Sequence, residues 1–423
     1  MSERLTSTLA EARARDQNDT LAGFREKFHL PHGPDGRAAI YFCGNSLGLQ
    51  PKATRQAITQ ELDDWASFGV EGHFQARHPW MPYHRFLTEN TAALVGALPE
   101  EVVNMNSLTV NLHLMLVSFY RPEENRRKII IEANPFPSDR YALRSQNAFH
   151  GYNPDRDLLE LPLRPGETVH HPQDILEFIE RHGPESALIL IGGVNYYTGQ
   201  VFDMKSITEA GHAAGCMVGF DLAHGAGNLA LRLHDWGPDF AVWCSYKYLN
   251  SGPGSLSGCF VHQRHAHWTD MPRFAGWWGH DQDTRFRMGP EFRAMPGAEG
   301  WQLSNPPILP LAAMRVSLEI FQEAGIDNLR RKSEQLTGYL SDLLKELGPD
   351  RVAVITPEAL EQRGCQLSLV VKNNARAVFD KLAAQGVICD WREPDVIRIA
   401  PVPLYNTFEE AWRFAAILDE ALG

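Results

Sequence analysis

The chain has 423 residues, 43 % hydrophobic and 22 % charged, enough to bury a large core spread over two or three domains. Its formal charge of −12 disfavours nucleic acid and anionic lipid as partners, because the average surface repels both. No stretch approaches the roughly 18 apolar residues of a membrane span, the first residues, MSERLTSTLAEARARDQND, mix both charge signs, and a cytoplasmic location is expected.

The segment over residues 1–70 carries helical patterns and no sheet of its own, so it is expected to pack with a C-terminal unit. From 71 to 310 the pattern alternates. β-rich runs at 128–132, 187–191, 217–221, 240–243 and 258–262 are separated by helical patterns near 109–120, 138–149, 172–182 and 204–214. That order predicts an α/β fold whose large domain holds a mostly parallel sheet with helices on both faces. Beyond Pro310 come two long amphipathic helices, 311–325 and 328–347, then strands near 352–355, 365–371 and 396–400 and a closing helix from 407. Residues 311–423 therefore read as a smaller α+β domain.

The six cysteines, Cys43, Cys216, Cys244, Cys259, Cys365 and Cys389, show no CxxC spacing, which disfavours a zinc site and a disulfide framework. His262, His265 and His267 cluster in VHQRHAHW without an HExxH pattern. They read as a polar loop after a strand, and no metal is expected.

Open parallel sheets bind ligands beyond the carboxyl ends of their strands, so residues that end apolar runs carry the most information. Asp221 ends MVGFD and is followed by LAHG, which sets His224 at the same sheet edge. An aspartate there also serves as a plain helix cap. Lys247 changes that weighting: it follows the apolar run FAVWC, between Tyr246 and Tyr248, and leads into NSGPGS. The bland alternative is a snorkelling surface lysine.

An imine-forming lysine, an anion for a pyridinium nitrogen, a flat group over the ring and donors around a phosphate are what pyridoxal phosphate requires. Lys247 and Asp221 meet the first two needs, and His224 is placed to touch the ring's rim. Phe136 in EANPFPSDR is available to stack, with Ser138 or Asp139 either capping the next helix or bonding the cofactor. In NSLTVNLHLML a turn enters a helix, so Leu108 and Thr109 offer backbone amides and a hydroxyl to a phosphate. Thr109 alone reads equally well as an ordinary N-terminal cap.

Taken together, YFCGNSLGLQP at 41–51, SLTVNLH at 107–113, FPSDRYA at 136–142, YYTGQ at 196–200, DLAHGAGN at 221–228, SYKYLNSGPG at 245–254, GWWGH at 276–280, LSNPP at 303–307 and IRIAPVPLYNT at 397–407 resemble the class V branch of the aspartate-aminotransferase-like enzymes, and within it the kynureninase family. The resemblance implies a type I pyridoxal phosphate fold with a seven-stranded large-domain sheet. It implies Lys247 for the imine, Asp221 for the pyridinium, Phe136 for stacking and Asp139 for a cofactor contact. It implies a homodimer, with Leu108, Thr109 and Tyr246 around the phosphate or ring and Trp277 and Asn305 reaching across from the partner. Arg398 in IRIA would clamp the substrate α-carboxylate, with a structural strand-end arginine as the alternative, and His73, Ser46, Ser304 and Asn305 would border the substrate.

The implied reaction is hydrolysis of kynurenine or 3-hydroxykynurenine to alanine and an anthranilate, with Lys247 as general base and acid. Tyr246 has two readings, proton donor to the β-carbon or holder of the phosphate. A cysteine desulfurase or an aminotransferase on the same fold is the competing reading, but Cys365 in RGCQLSLVV reads as a buried strand residue rather than a mobile nucleophile. A DNA-binding regulator built on this fold would need an added module that the first 40 residues do not supply.

Overall fold

The computed structural model describes residues 5–268 and 271–423. Its centre is a seven-stranded sheet in the spatial order Val102–Met105, Ser257–Val261, Phe240–Cys244, Met217–Asp221, Ser186–Gly192, Lys128–Ile131 and Leu158–Glu160. Only Ser257–Val261 runs antiparallel to its neighbours; the other strands share one direction. Strands covered on both faces read as continuous apolar runs, and all seven residues of Ser186–Gly192 are buried. Alternate residues feed two cores. Ile189, Ile191, Val218 and Phe220 point into one, and Leu188, Leu190, Phe240 and Val242 into the other.

The five central runs lie where the sequence puts them, within a residue or two. Val102–Met105 and Leu158–Glu160 are additions. The first is four residues long with Asn104 in its middle, and the second has half-exposed or exposed positions throughout, so neither shows an apolar run.

The C-terminal part forms a four-stranded antiparallel sheet in the order Asp390–Arg392, Val396–Ile399, Leu367–Val371 and Val352–Val354. Ala375–Ala384, a helix the sequence reading omits, lies against it, and the closing helix Phe408–Leu422 packs on that helix and shares the sheet's core. Ala12, Ile40 and Phe42 from the N-terminal segment share this core, and Ile40–Tyr41 pairs parallel with Val387–Ile388. Asp16 caps the closing helix, accepting from Phe408 N–H at 2.7 Å and Glu409 N–H at 2.9 Å. Among the described residues no helix is long and apolar enough to cross a membrane.

Candidate active site

The carboxyl ends of neighbouring strands bring the chemistry-bearing residues together. Gly192 and Asp221 are register partners, Asp221 in turn pairs with Val242, and Lys247 follows three residues after Cys244. The turn that carries Lys247 is pinned on all sides. Asn250 N–H donates to the Lys247 carbonyl at 3.0 Å, Ser251 N–H to the Ser245 carbonyl at 3.0 Å, and Gly48 N–H to the Tyr246 carbonyl at 2.8 Å. A Cβ on Gly48 would lie 2.3 Å from the Lys247 carbonyl oxygen, so only glycine admits this approach.

One cavity is lined by Leu108, Thr109, Phe136, Ser138, Asp139, Asp221, His224, Tyr246 and Lys247. These are all nine residues expected at the cofactor from the protomer itself. Lys247 Nζ sits 3.2 Å from His224 Nε2, 5.8 Å from the Phe136 ring centre and 5.9 Å from that of Tyr246. Burial, aided by the Lys247 charge, holds the His224 imidazole well below its ordinary range. His224 is therefore neutral and able to accept a hydrogen bond from Lys247 Nζ through Nε2.

Asp221 accepts from Ala223 N–H at 2.7 Å. Burial raises its carboxyl, against the opposing effects of that hydrogen bond and of Lys247. Asp139, on the first turn of the Pro137–Phe149 helix, is pushed well above the usual carboxylate range by burial and then by Asp221 and Glu132. Like charges this close cannot all ionise, so the cluster holds at least one proton. Tyr246 is pushed up to about 12 by burial, so its hydroxyl stays protonated at neutral pH.

Two buried polar atoms here lack a partner, Asp139 Oδ1 and His224 Nδ1. A buried polar group left without a partner is costly, so a ligand that met these two would be stabilised by them. The helix Leu108–Phe119 opens into the same cavity with no side-chain cap at Ser107, leaving its first N–H groups free for an anion. Thr109 Oγ1 and Ser138 Oγ lie 3.0 Å apart beside it. Orphaned carboxyl and imidazole atoms at one end, free amides and hydroxyls at the other, with an aromatic ring and an amine between them, fit pyridoxal phosphate.

Glu132 belongs to this cavity and was missed. As the charged residue ending KIIIE it looks like the start of a loop, yet it is 3 % exposed, bonded by Gly192 N–H at 2.9 Å, and pushed up to about 7 by burial. Only its strand's place in the sheet, next but one to that of Asp221, could have signalled it.

The remaining candidates lie off the cavity lining. Arg398 is 1 % exposed, and its bidentate partner is Asp390; it reaches the cavity only through the Tyr196 carbonyl, 2.7 Å from Nη1. His73 packs edge-on to Trp80 at 5.6 Å with Nδ1 unpaired, and Ser46 bonds the Cys43 carbonyl through its backbone N–H at 3.0 Å. Trp277 is 41 % exposed and donates to the Arg285 carbonyl at 3.3 Å; Ser304 and Asn305 are exposed. Two of the three histidines of VHQRHAHW, His262 and His265, find carboxylates far away in sequence. His265 Nε2 lies 2.8 Å from Asp239 and His262 Nδ1 3.9 Å from Glu101, while His262 Nδ1 also accepts from Arg264 N–H at 3.1 Å. Cys365 is 1 % exposed and pushed up to about 12 by burial, so no reactive thiolate stands there.

Residues 329–418 match the model of the kynureninase C-terminal domain. A kynureninase of Myxococcus xanthus is 60 % identical over 408 residues, 96 % of each chain, and one of Koribacter versatilis is 60 % identical over 399 residues, 94 % of each. The chain belongs to the kynureninase family. Other members reach across the same span, including a kynureninase of Flavobacterium psychrophilum that is 52 % identical over 419 residues, 98 % of each chain. Among solved structures, a C-DES variant with glycine covalently linked to its PLP cofactor has a TM-score of 0.77 at 17 % identity, covering 93 % of this chain and 99 % of that one. A cysteine desulfurase of Escherichia coli also reaches 0.77, at 18 % identity, covering 95 % and 98 %. At this identity the two structures share the fold with the kynureninase-family chain, and desulfurases are its distant structural relatives.

Proposed function

We propose that the chain acts as a kynureninase, a pyridoxal phosphate-dependent hydrolase of the Cβ–Cγ bond of kynurenine or 3-hydroxykynurenine, in tryptophan catabolism or pyridine nucleotide synthesis. The observation that carries this reading is the cavity joining Lys247, Asp221 and Phe136 within a chain 60 % identical to a kynureninase over 96 % of its length. The products are alanine and anthranilate or its 3-hydroxy derivative.

Bound pyridoxal phosphate supplies an electron sink next to the substrate's α-carbon. Asp221 would hold the proton on the ring nitrogen, with Asp139 at the same end, and Phe136 would cover the ring. The Leu108 and Thr109 amides with the Thr109, Ser138 and Tyr246 hydroxyls would hold the phosphate. Lys247 Nζ takes the proton from the α-carbon as general base, and His224 steadies the amine through Nε2. Water then adds to the γ-carbonyl carbon, and the Cβ–Cγ bond breaks as a hydroxyl of the hydrate gives up its proton to leave the carboxylic acid. The bond's electron pair stays on the β-carbon, which takes a proton. Tyr246, whose ring centre lies 5.9 Å from Lys247 Nζ in the same cavity, is the donor this reading assigns. The proton given up by the hydrate balances the one the β-carbon takes, and Lys247 returns its own to the α-carbon.

Arg398 binds the α-carboxylate. Trp277 and Asn305 serve the partner's site in a homodimer, a reading supported by their exposure together with that of Trp65, Phe68 and Phe74. Residues 71–310 form the cofactor-binding domain and 311–423 the small domain, with 1–70 packed mainly on the latter. Ultraviolet detection of anthranilate released from kynurenine tests the activity. Sulfide release from cysteine in place of anthranilate release would instead make the chain a desulfurase.

A further inference from the structure

Arg398 is engaged before any substrate arrives. Strand register sets Asp390 directly opposite it in the antiparallel pair of Asp390–Arg392 with Val396–Ile399. Asp390 accepts from Arg398 Nη2 at 2.6 Å and from Nε at 3.3 Å, so the carboxylate fills the Nε/Nη2 edge of the guanidinium. Arg398 Nη1 donates to the Tyr196 carbonyl at 2.7 Å. A guanidinium offers five N–H groups in a rigid plane, and these contacts leave one free on Nη1 and one on Nη2. A bidentate carboxylate needs two N–H groups on one edge. The edge still able to supply them is Nη1/Nη2.

Asp390 is itself held. Arg392 Nη2 donates to the same Oδ2 at 3.1 Å, so the carboxylate is gripped by two guanidinium groups, and its side chain is 9 % exposed. Tyr196, the third partner of the arrangement, lines the Lys247 cavity and packs edge-on to Phe136 at 5.2 Å. Its carbonyl also accepts from Gln366 Nε2 at 3.1 Å. The orientation of Arg398 is thus fixed from one side by a buried anion and from the other by the wall of the cavity.

We propose that Asp390 is a positioning residue for the substrate: by filling one edge of Arg398 it turns the Nη1/Nη2 end toward the α-carboxylate, with Arg392 keeping Asp390 in place. This rests on the reading of Arg398 as the carboxylate clamp. Removing Asp390 leaves a buried arginine without its anion, free to turn toward other acceptors, so carboxylate recognition is lost rather than strengthened.

The test uses holoenzyme of Asp390→Asn, which keeps the shape, and Arg392→Gln, which loosens Asp390 while leaving its pair with Arg398. Each is measured for KM and kcat on kynurenine and, through cofactor absorbance, for binding of L-alanine against L-alaninamide. Asp390→Asn is expected to raise KM about tenfold or more with kcat nearly unchanged, and to shrink the preference for alanine over its amide by a similar factor. Arg392→Gln should move both in the same direction by roughly threefold. An unchanged alanine preference in both variants overturns the proposal, as does tighter alanine binding, which would make Asp390 a competitor for the clamp. Arg398→Gln separates the two readings. If it too keeps the alanine preference, the clamp itself is wrong; if it loses the preference while Asp390→Asn retains it, only the positioning role falls.

Discussion

Gly192 and Glu132 occupy one site between them: a Cβ on Gly192 would lie 2.9 Å from Glu132 Oε1, and Gly192 N–H donates to Glu132 Oε2 at 2.9 Å. The missing side chain at Gly192 makes the room in which a third carboxyl stands beside Asp221 and Asp139. Glu132 is pushed from 4.5 up to about 7 by burial, with Asp221 adding to the rise. Its folded-state value lies above its unfolded one, so it costs no stability below about pH 4.5, costs progressively more as pH rises to about 7, and the full penalty persists above that. Glu132→Gln should therefore gain stability relative to the parent across that window, levelling at roughly 3 kcal/mol. Urea unfolding of both proteins at pH 5 and pH 8 checks it. A difference that does not grow with pH sinks the prediction.

The Asp221 and Asp139 carboxyls should not be equivalent. Asp221 is fixed by Ala223 N–H at 2.7 Å, while Asp139 Oδ1 has no partner and its carboxyl is the more strongly raised by burial and like charge. Asp221→Asn removes the fixed anion beside the ring nitrogen and should lower kcat about a hundredfold or more. Asp139→Asn relieves a repelling pair and should cost about tenfold or less. Side-by-side kinetics on kynurenine decide it, and equal losses would remove the distinction.

Lys247 Nζ lies 3.2 Å from His224 Nε2 and faces the rings of Phe136 and Tyr246 within the cavity that all four line. Purified protein should be yellow. Lys247→Ala should lose that absorbance and about a thousandfold or more of turnover, even where it still binds cofactor noncovalently. Borohydride reduction of the parent followed by peptide mapping should label Lys247, and label on any other lysine makes the assignment wrong.

The nine expected residues that line the Lys247 cavity were legible because most stand near the end of an apolar run or at the start of a helix, where sequence and position coincide. Asp221 after MVGF and Lys247 after FAVWCSY announce themselves that way. Glu132 does so only once its strand is known to lie next but one to the Asp221 strand, with Ser186–Gly192 between them, a fact of sheet order that no local pattern carries. Asp390 was invisible for a similar reason. It sits on a three-residue edge strand of half-buried residues, and its partner Arg398 faces it through hairpin register rather than helical or strand spacing. The helix Ala375–Ala384 begins at Asn374 in a left-handed conformation, φ 49°, without a capping hydrogen bond, so it lacks the start signal that marks the closing helix at Thr407.

The 3-hydroxy substrate should be used at least as well as kynurenine. His73, Ser304 and Asn305, the residues expected at the substrate's aromatic ring, are all polar, and none lines the Lys247 cavity of its own protomer. Ser304 and Asn305 are exposed, as a pair serving a neighbouring subunit would be, and His73 carries a buried Nδ1 with no partner. A site built to bond a hydroxyl penalises the analogue that lacks it, because its own polar groups are left unmet. Water in a partly open site returns some of that loss, so the expected preference is about 1–3 kcal/mol, roughly tenfold to a hundredfold in kcat/KM. The competing account makes His73 a loop residue held by Trp80 and gives Asn305 to the phosphate of the partner's cofactor. The two differ in what His73→Phe combined with Asn305→Ala does. If these side chains bond the ring hydroxyl, the double variant shifts kcat/KM toward kynurenine while its cofactor absorbance stays that of the parent. If they do not, the ratio stays where it was. A parent that favours kynurenine by more than about tenfold would contradict the prediction outright.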